Sequence, residues 1–200
     1  MIATKKSQGR GRPRSFDPEA AIAIAQDLFH KRGYDGLGVA EIGEALGIKP
    51  PSFYAAFGSK AGLFARVLDR YEETKGGLLV GALAGVDDPA EGMRRLFARA
   101  AEIYVDPEGR RGCLVINNAG EGGDAEAVAL ARANKARGTA HYADYFRRTH
   151  PGRAEALAES VMTGLAGMSA AAREGASEDA LARFGALLAA GFAETLSSAS

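Results

Sequence analysis

Residues 33–64 read GYDGLGVAEIGEALGIKPPSFYAAFGSKAGLF, and the placing of glycine, proline and apolar residues in this stretch decides the fold. Gly36 and Gly38 punctuate the chain, after which Val39, Ile42, Ala45 and Leu46 fall on one side of a short helix that Gly47 stops. Pro50 forces Lys49 extended and can itself stand first in a following helix, in which Phe53, Tyr54 and Phe57 are spaced for burial before Gly58 ends it. Two short helices joined by a tight glycine turn are therefore expected over about residues 38–57. In such a pair one helix can cross a DNA backbone while the other enters the major groove. By spacing alone, a generic three-helix subdomain fits equally well.

Helical patterning continues on both sides. Upstream, Asp17, Pro18 and Glu19 read as N-cap, first-turn proline and first-turn acid of a helix that buries Ile22, Ala25, Leu28 and Phe29 and ends near Gly33. Downstream, Ser59 is the next N-cap, and Leu63, Phe64, Val67, Leu68 and Tyr71 make one apolar stripe running to about Lys75 or beyond. Further helices are expected at about 89–106, 112–120, 124–149, 152–174 and 178–196, separated by DPEGRRG, GEGG, HPG and EGAS. No alternating strand pattern bounded by turns is present. The fold class is thus all-α, about nine helices.

The 200 residues, 46% of them apolar, suffice for a real core. There is no apolar run of membrane-spanning length, and the basic start MIATKKSQGRGRPRS lacks the apolar stretch of a signal peptide, so a cytoplasmic protein is expected. A single cysteine, Cys113, fits a reducing compartment. The formal net charge is zero but unevenly placed: Lys5, Lys6, Arg10, Arg12 and Arg14 occur in residues 1–14 with no acid among them. Gly9, Gly11 and Pro13 prevent a helix there, so residues 1–14 read as a disordered basic arm before a mildly acidic body.

The stretch from Arg10 to Tyr71 resembles, over nearly its whole length, the N-terminal domain of TetR-family (AcrR-like) transcriptional regulators. The resemblance is carried by Gly33 and Tyr34 after the first helix, Glu41 and Ile42 in the second, Gly47 and Ile48 at the turn, Phe53 to Phe57 in the third, and Ser59 to Phe64 opening the fourth. It implies a helix-turn-helix DNA-binding domain over 15–60, a linking helix over 61–75, and a helical ligand-binding and dimerisation domain over 76–200. The implied DNA contacts are Ser52 and Tyr54, whose hydroxyls suit phosphates or base edges, and Lys60 gripping phosphate near a helix N-terminus. Tyr54 can alternatively be core. Arg12 and Arg14 are expected in a minor groove or on phosphates. The chain departs from the family's pattern at Gly38, where Ser or Thr usually caps the second helix, at Lys49, Pro50 and Pro51, and at Ala55. Base reading is therefore expected to draw more on Lys49, on apolar contact through Pro50 and on DNA shape.

For the C-terminal part, the same resemblance implies that the last two helices pair with their mates in a homodimer. Leu165, Met168, Leu181, Phe184, Leu188 and Phe192 supply apolar stripes, and Gly164, Gly167, Gly185 and Gly191 would allow close approach; an internal core is the alternative. Candidate lining for a mostly apolar effector pocket is Phe97, Tyr104, Cys113, Asn117, Glu121 and Tyr142, with Leu114, Asn118, His141 and Tyr145 nearby. The segment RGCLVINNAGE resembles the GCL-x-x-N segment of a TetR subgroup that includes repressors responding to electrophiles and metals. Cys113 would open a helix after Gly112 beside Arg110 and Arg111, which favours thiolate, while Leu114, Val115 and Ile116 suggest simple packing.

The expected function is a sequence-specific repressor on a palindromic double-stranded operator, released by a small-molecule inducer. A thiol-based sensor acting through Cys113 is the alternative, and a helical enzyme or interaction protein is more remote. No catalytic triad order, P-loop, zinc-ligand spacing or other cofactor motif occurs, so neither enzyme activity, metal nor cofactor is expected.

Overall fold

The computed structural model describes residues 17–118 and 123–198, and every regular element among them is helical. Arg12, Arg14 and Glu121 lie outside the described residues. α1 (Pro18–Arg32) starts as its sequence dictates: the Asp17 carboxylate accepts the N–H groups of Glu19 and Ala20, and Pro18 needs no donor in the first turn. α2 (Val39–Leu46) and α3 (Pro50–Phe57) follow. Between them Gly47 takes φ 67°, a left-handed conformation that closes α2 and that a side chain would strain. α4 (Lys60–Tyr71) opens on Ser59, whose Oγ accepts the Gly62 N–H at 2.8 Å. Phe29, Ile42, Phe53, Leu63 and Phe64 fill the core shared by these four helices.

The helical run does not stop at Lys75. It passes through a π-helical turn, Glu72–Gly76, into α5 (Gly77–Gly81), so no loop marks the expected boundary at residue 76. α6 (Pro89–Tyr104) is capped by Asp88, and the five-residue α7 (Leu114–Asn118) follows. α8 (Ala125–Arg147), a short 3-10 turn (Pro151–Arg153), α9 (Ala154–Arg173) and α10 (Glu178–Ser197) complete the order. Among the described residues no helix is long and apolar enough to cross a membrane.

The packing of α6, α9 and α10 corrects two sequence expectations. Phe97 lines neither the cavity nor the cleft described below: it is fully buried, 5.8 Å from the Phe192 ring, and a Cβ built on Gly164 or Gly185 would lie 3.2 Å or 3.1 Å from it. Those glycines therefore admit Phe97 of the same protomer, not a helix of a second one. Leu165, Met168, Leu181 and Phe192 are likewise buried inside the protomer and fill its core, so a dimer seam cannot be made from them. What remains on the outside of α10 is Phe184, 39% exposed, Leu187, 72% exposed, and half-buried Leu188. A 3.6-residue stripe does not say which neighbour it meets, and α10 is apolar around much of its circumference.

Candidate nucleic-acid interface and effector cavity

α3 divides its residues by face. Phe53 and Phe57 point into the core, whereas Lys49, Pro50, Ser52 and Tyr54 stand outside, Tyr54 at 52% exposure. Tyr54 is thus a surface residue, its ring edge against Phe53 at 5.6 Å. Prolines at the first two positions remove two backbone donors from the first turn of α3, leaving Ser52 as its first N–H. Any grip on phosphate by this turn therefore falls chiefly to side chains. Glu41 replaces the hydroxyl cap that Gly38 lacks: its carboxylate accepts the Gly38 N–H at 2.9 Å and pairs with Arg32 at 3.0 Å.

Lys60 begins α4 with its Nζ 3.9 Å from the centroid of the Tyr34 ring. Partial burial lowers the pKa of this ammonium, while Asp35 and Asp124 hold it up. Tyr34 itself joins the helix-turn-helix to the body. Its N–H donates to Asn118 Oδ1 at 2.8 Å and its hydroxyl to the carboxylate of Asp124, the N-cap of α8. That hydroxyl bond, with the Ala127 N–H, draws the Asp124 pKa down. A second bridge runs from His30 on α1, whose Nε2 donates to the Gly112 carbonyl at 2.9 Å while Arg173 donates to the His30 carbonyl at 3.3 Å. Burial lowers the His30 pKa to about 4, the bond to Gly112 opposing it. Tyr34 entered the sequence reading only as part of a turn, and nothing in the spacing announced its partners 84 and 90 residues away.

A cavity of 250 Å³ lies where α4, the π-turn, α5, the end of α6, α7, α8 and α9 meet. Of the expected pocket residues, Tyr104, Cys113, Tyr142 and His141 are on its wall. Asn117 is not. It lies in the cleft beside Tyr34 and accepts a hydrogen bond from Ser169 Oγ at 3.1 Å. Leu114 is core, Asn118 is committed to the Tyr34 bridge, and the Tyr145 hydroxyl donates to the Asp88 carbonyl at 3.2 Å. The wall residues missed in the sequence include Tyr71, Val115, Asn134 and Met162, which come from four different helices or from the stripe already assigned to core.

Cys113 is buried beside this cavity, just ahead of α7. Burial pushes its thiol pKa up, and the Ile116 and Val115 N–H groups with the Tyr71 and Tyr104 hydroxyls only partly offset that. The expected help from arginine is absent: Arg110 is engaged by Asp106 at 3.1 Å and Asp27 at 3.5 Å, and Arg111 donates to the Ala172 carbonyl at 2.9 Å. The resting thiol is therefore protonated at neutral pH.

Comparisons with known proteins agree with the helix-turn-helix geometry. Residues 21–67 match the family model described as bacterial regulatory proteins, tetR family. The chain is 41% identical over 182 residues to the HTH-type transcriptional repressor BdcR of Escherichia coli (strain K12), covering 90% of this chain and 91% of that one. It is 38% identical over 115 residues to the HTH-type transcriptional repressor ComR of the same strain, covering 57% and 54%. Among solved structures, a cysteine mutant of the TetR family regulator CifR complexed with 26-base-pair operator DNA superimposes with a TM-score of 0.79. It shares 32% identity over 89% of this chain and 98% of that chain.

Proposed function

The chain belongs to the TetR family of bacterial transcriptional regulators, and from that premise we propose that it is a homodimeric, cytoplasmic repressor released from a palindromic operator by a small molecule. The observation that carries the reading is the outward face of α3, where Lys49, Pro50, Ser52 and Tyr54 are exposed while Phe53 and Phe57 anchor the helix beneath them. A recognition helix needs this division, with rigid support on one side and base and phosphate contacts on the other. Arg12 and Arg14 would extend the contact ahead of α1. Two copies brought together along Phe184, Leu187 and Leu188 would present two such helices to successive major grooves. The 250 Å³ cavity is the effector site in this reading.

A gel shift on the DNA upstream of the protein's own gene tests the proposal. A sequence-specific shift abolished by excess unlabelled site, but not by unrelated DNA, is expected. Binding that does not distinguish the two would remove the operator reading.

One observation favours a second reading of the trigger, in which Cys113 is modified by an electrophile: the thiol lies on the cavity wall, where the Ile116 and Val115 N–H groups favour its thiolate against the effect of burial. Operator release by an alkylating electrophile from wild type but not from Cys113→Ser would establish it. Equal release from both would make Cys113 a packing residue.

A further inference from the structure

We propose that the cavity accepts a small uncharged molecule bearing an oxygen acceptor, such as a ketone, ester or ether, on an otherwise apolar frame. The proposal rests on reading the cavity as the effector site and adds the chemistry of what enters it. Its walls are largely apolar, with Val115, Met162 and Leu165 among them, and its 250 Å³ lies below the ~300–1,000 Å³ common for ligand pockets. A single ring or short chain is the size it suits.

Apart from Asn134, which donates to Glu72 at 3.5 Å, the buried polar groups gather at one pole, the hydroxyls of Tyr71, Tyr104 and Tyr142 with the Cys113 thiol. All four residues are buried, and burial raises each pKa, so all four groups keep their protons at neutral pH. The first amides of α7 add donors here and no acceptor, the Leu114 N–H opposing the rise of the Tyr71 pKa and the Ile116 and Val115 N–H groups that of Cys113. The Tyr104 hydroxyl is wholly buried and has no oxygen or nitrogen partner, only the weakly accepting Cys113 sulfur beside it, an arrangement that costs free energy until a better acceptor arrives.

Charge is kept to the rim. Glu72 and Arg137 pair there at 2.7 Å, and Lys135 and His141 sit beside them. A carboxylate or phosphate reaching the tyrosine cluster would lose its hydration and meet only neutral donors, and a cation would exchange its hydration for a few neutral hydroxyl oxygens. A neutral oxygen loses little hydration and supplies what the Tyr104 hydroxyl lacks.

The test is calorimetric titration of the full-length protein with acetophenone, ethylbenzene and benzoate, which share a ring and differ in the acceptor and its charge. Acetophenone is expected to bind best, with affinity weakened about fivefold to tenfold by Tyr104→Phe, the worth of one neutral hydrogen bond. Ethylbenzene should bind wild type more weakly than acetophenone does and be indifferent to the substitution, and benzoate should bind weakest. Because Tyr104→Phe deletes a hydroxyl with only a thiol sulfur beside it, it should melt close to wild type; should it fail to fold, the order of the three probes on wild type decides alone. Benzoate binding as tightly as acetophenone would overturn the proposal, as would an acetophenone affinity unchanged in Tyr104→Phe, or no acetophenone binding up to its solubility. Operator release is scored separately by gel shift. Tyr104-dependent binding of acetophenone that leaves the operator bound supports the ligand chemistry while removing induction through this cavity.

Discussion

Replacing Lys60 by alanine isolates the phosphate-gripping part of the proposed interface. The ammonium stands over the Tyr34 ring at 3.9 Å, at the first residue of α4, and the carboxylates of Asp35 and Asp124 draw the same charge inward. Losing the ring contact costs the free protomer on the order of 1 kcal/mol or less, small beside a typical folding stability of about 5–15 kcal/mol. The variant should therefore fold. On DNA each phosphate neutralised contributes about 0.9 to the slope of log affinity against log salt, so two lysines in a symmetric dimer contribute about 1.8. Between ~50 mM and ~200 mM salt that difference amounts to about tenfold in relative affinity. Fluorescence anisotropy of a labelled operator, titrated at several potassium chloride concentrations, reads the slope directly. Lys60→Met, which keeps the aliphatic stem over Tyr34, should flatten it as alanine does. Parallel lines for wild type and both variants would refute the assignment, leaving Lys60 a residue that packs Tyr34 and touches no phosphate.

Four further outcomes follow from the geometry. Folding stability should fall as pH drops from about 6.5 towards 4: with the folded pKa of His30 at about 4, only the unfolded chain takes up its proton in that window, and the loss by pH 4 is about 3 kcal/mol. Denaturant midpoints of wild type and His30→Gln across this range check it, and equal slopes would place the pH dependence elsewhere. Leu187→Glu, on the exposed side of α10, should give folded monomers by sedimentation with operator affinity lost, whereas a charge at Phe192 should unfold the protomer because that ring is packed inside it. Phe97→Ala should cost about 3–5 kcal/mol in chemical denaturation, since Gly164 and Gly185 leave nothing to close the space; a loss under about 1 kcal/mol would contradict the packing. Asn118→Ala removes the acceptor of the Tyr34 N–H and should shrink the difference in operator affinity with and without effector, measured by anisotropy; an unchanged difference would take Asn118 out of the coupling.

What could be read from the sequence was local. Caps, prolines and glycines act within a turn or two, so Asp17, Ser59, Gly47 and Pro50 marked the ends of α1 to α4 to within a residue or so. The outward face of α3 was legible for the same reason, once Phe53 and Phe57 were taken as core. What could not be read depended on which helices meet. The apolar residues of α9 and α10 are equally good for a protomer core and for a dimer seam, and only the position of α6 assigns Leu165, Met168 and Leu181 to the first. The cavity escaped in part because Tyr71 lies on a stripe that already had a sufficient explanation as core, and because Met162 lies on a helix read for its dimer-facing residues. The π-turn at Glu72–Gly76, which supplies cavity wall, carries no local signature beyond a pair of glycines.

The least legible element is the one that joins the two sites. α7 is only five residues long, and periodicity says nothing about so short a helix. Its first amides face Tyr71 and Cys113 at the polar end of the cavity, while its last residue, Asn118, holds the Tyr34 N–H and donates back to the Leu114 carbonyl at 2.7 Å. Tyr34 in turn carries Lys60 on its ring. An occupant that accepts a hydrogen bond from Tyr71 or Tyr104 thus alters the surroundings of the same helix whose far end positions a proposed phosphate contact. Five residues span only about 7.5 Å along a helix, too short to absorb a displacement by bending, so a shift at one end is passed to the other. By thermodynamic reciprocity, DNA that draws Lys60 outward must weaken effector binding by the factor that effector weakens DNA binding.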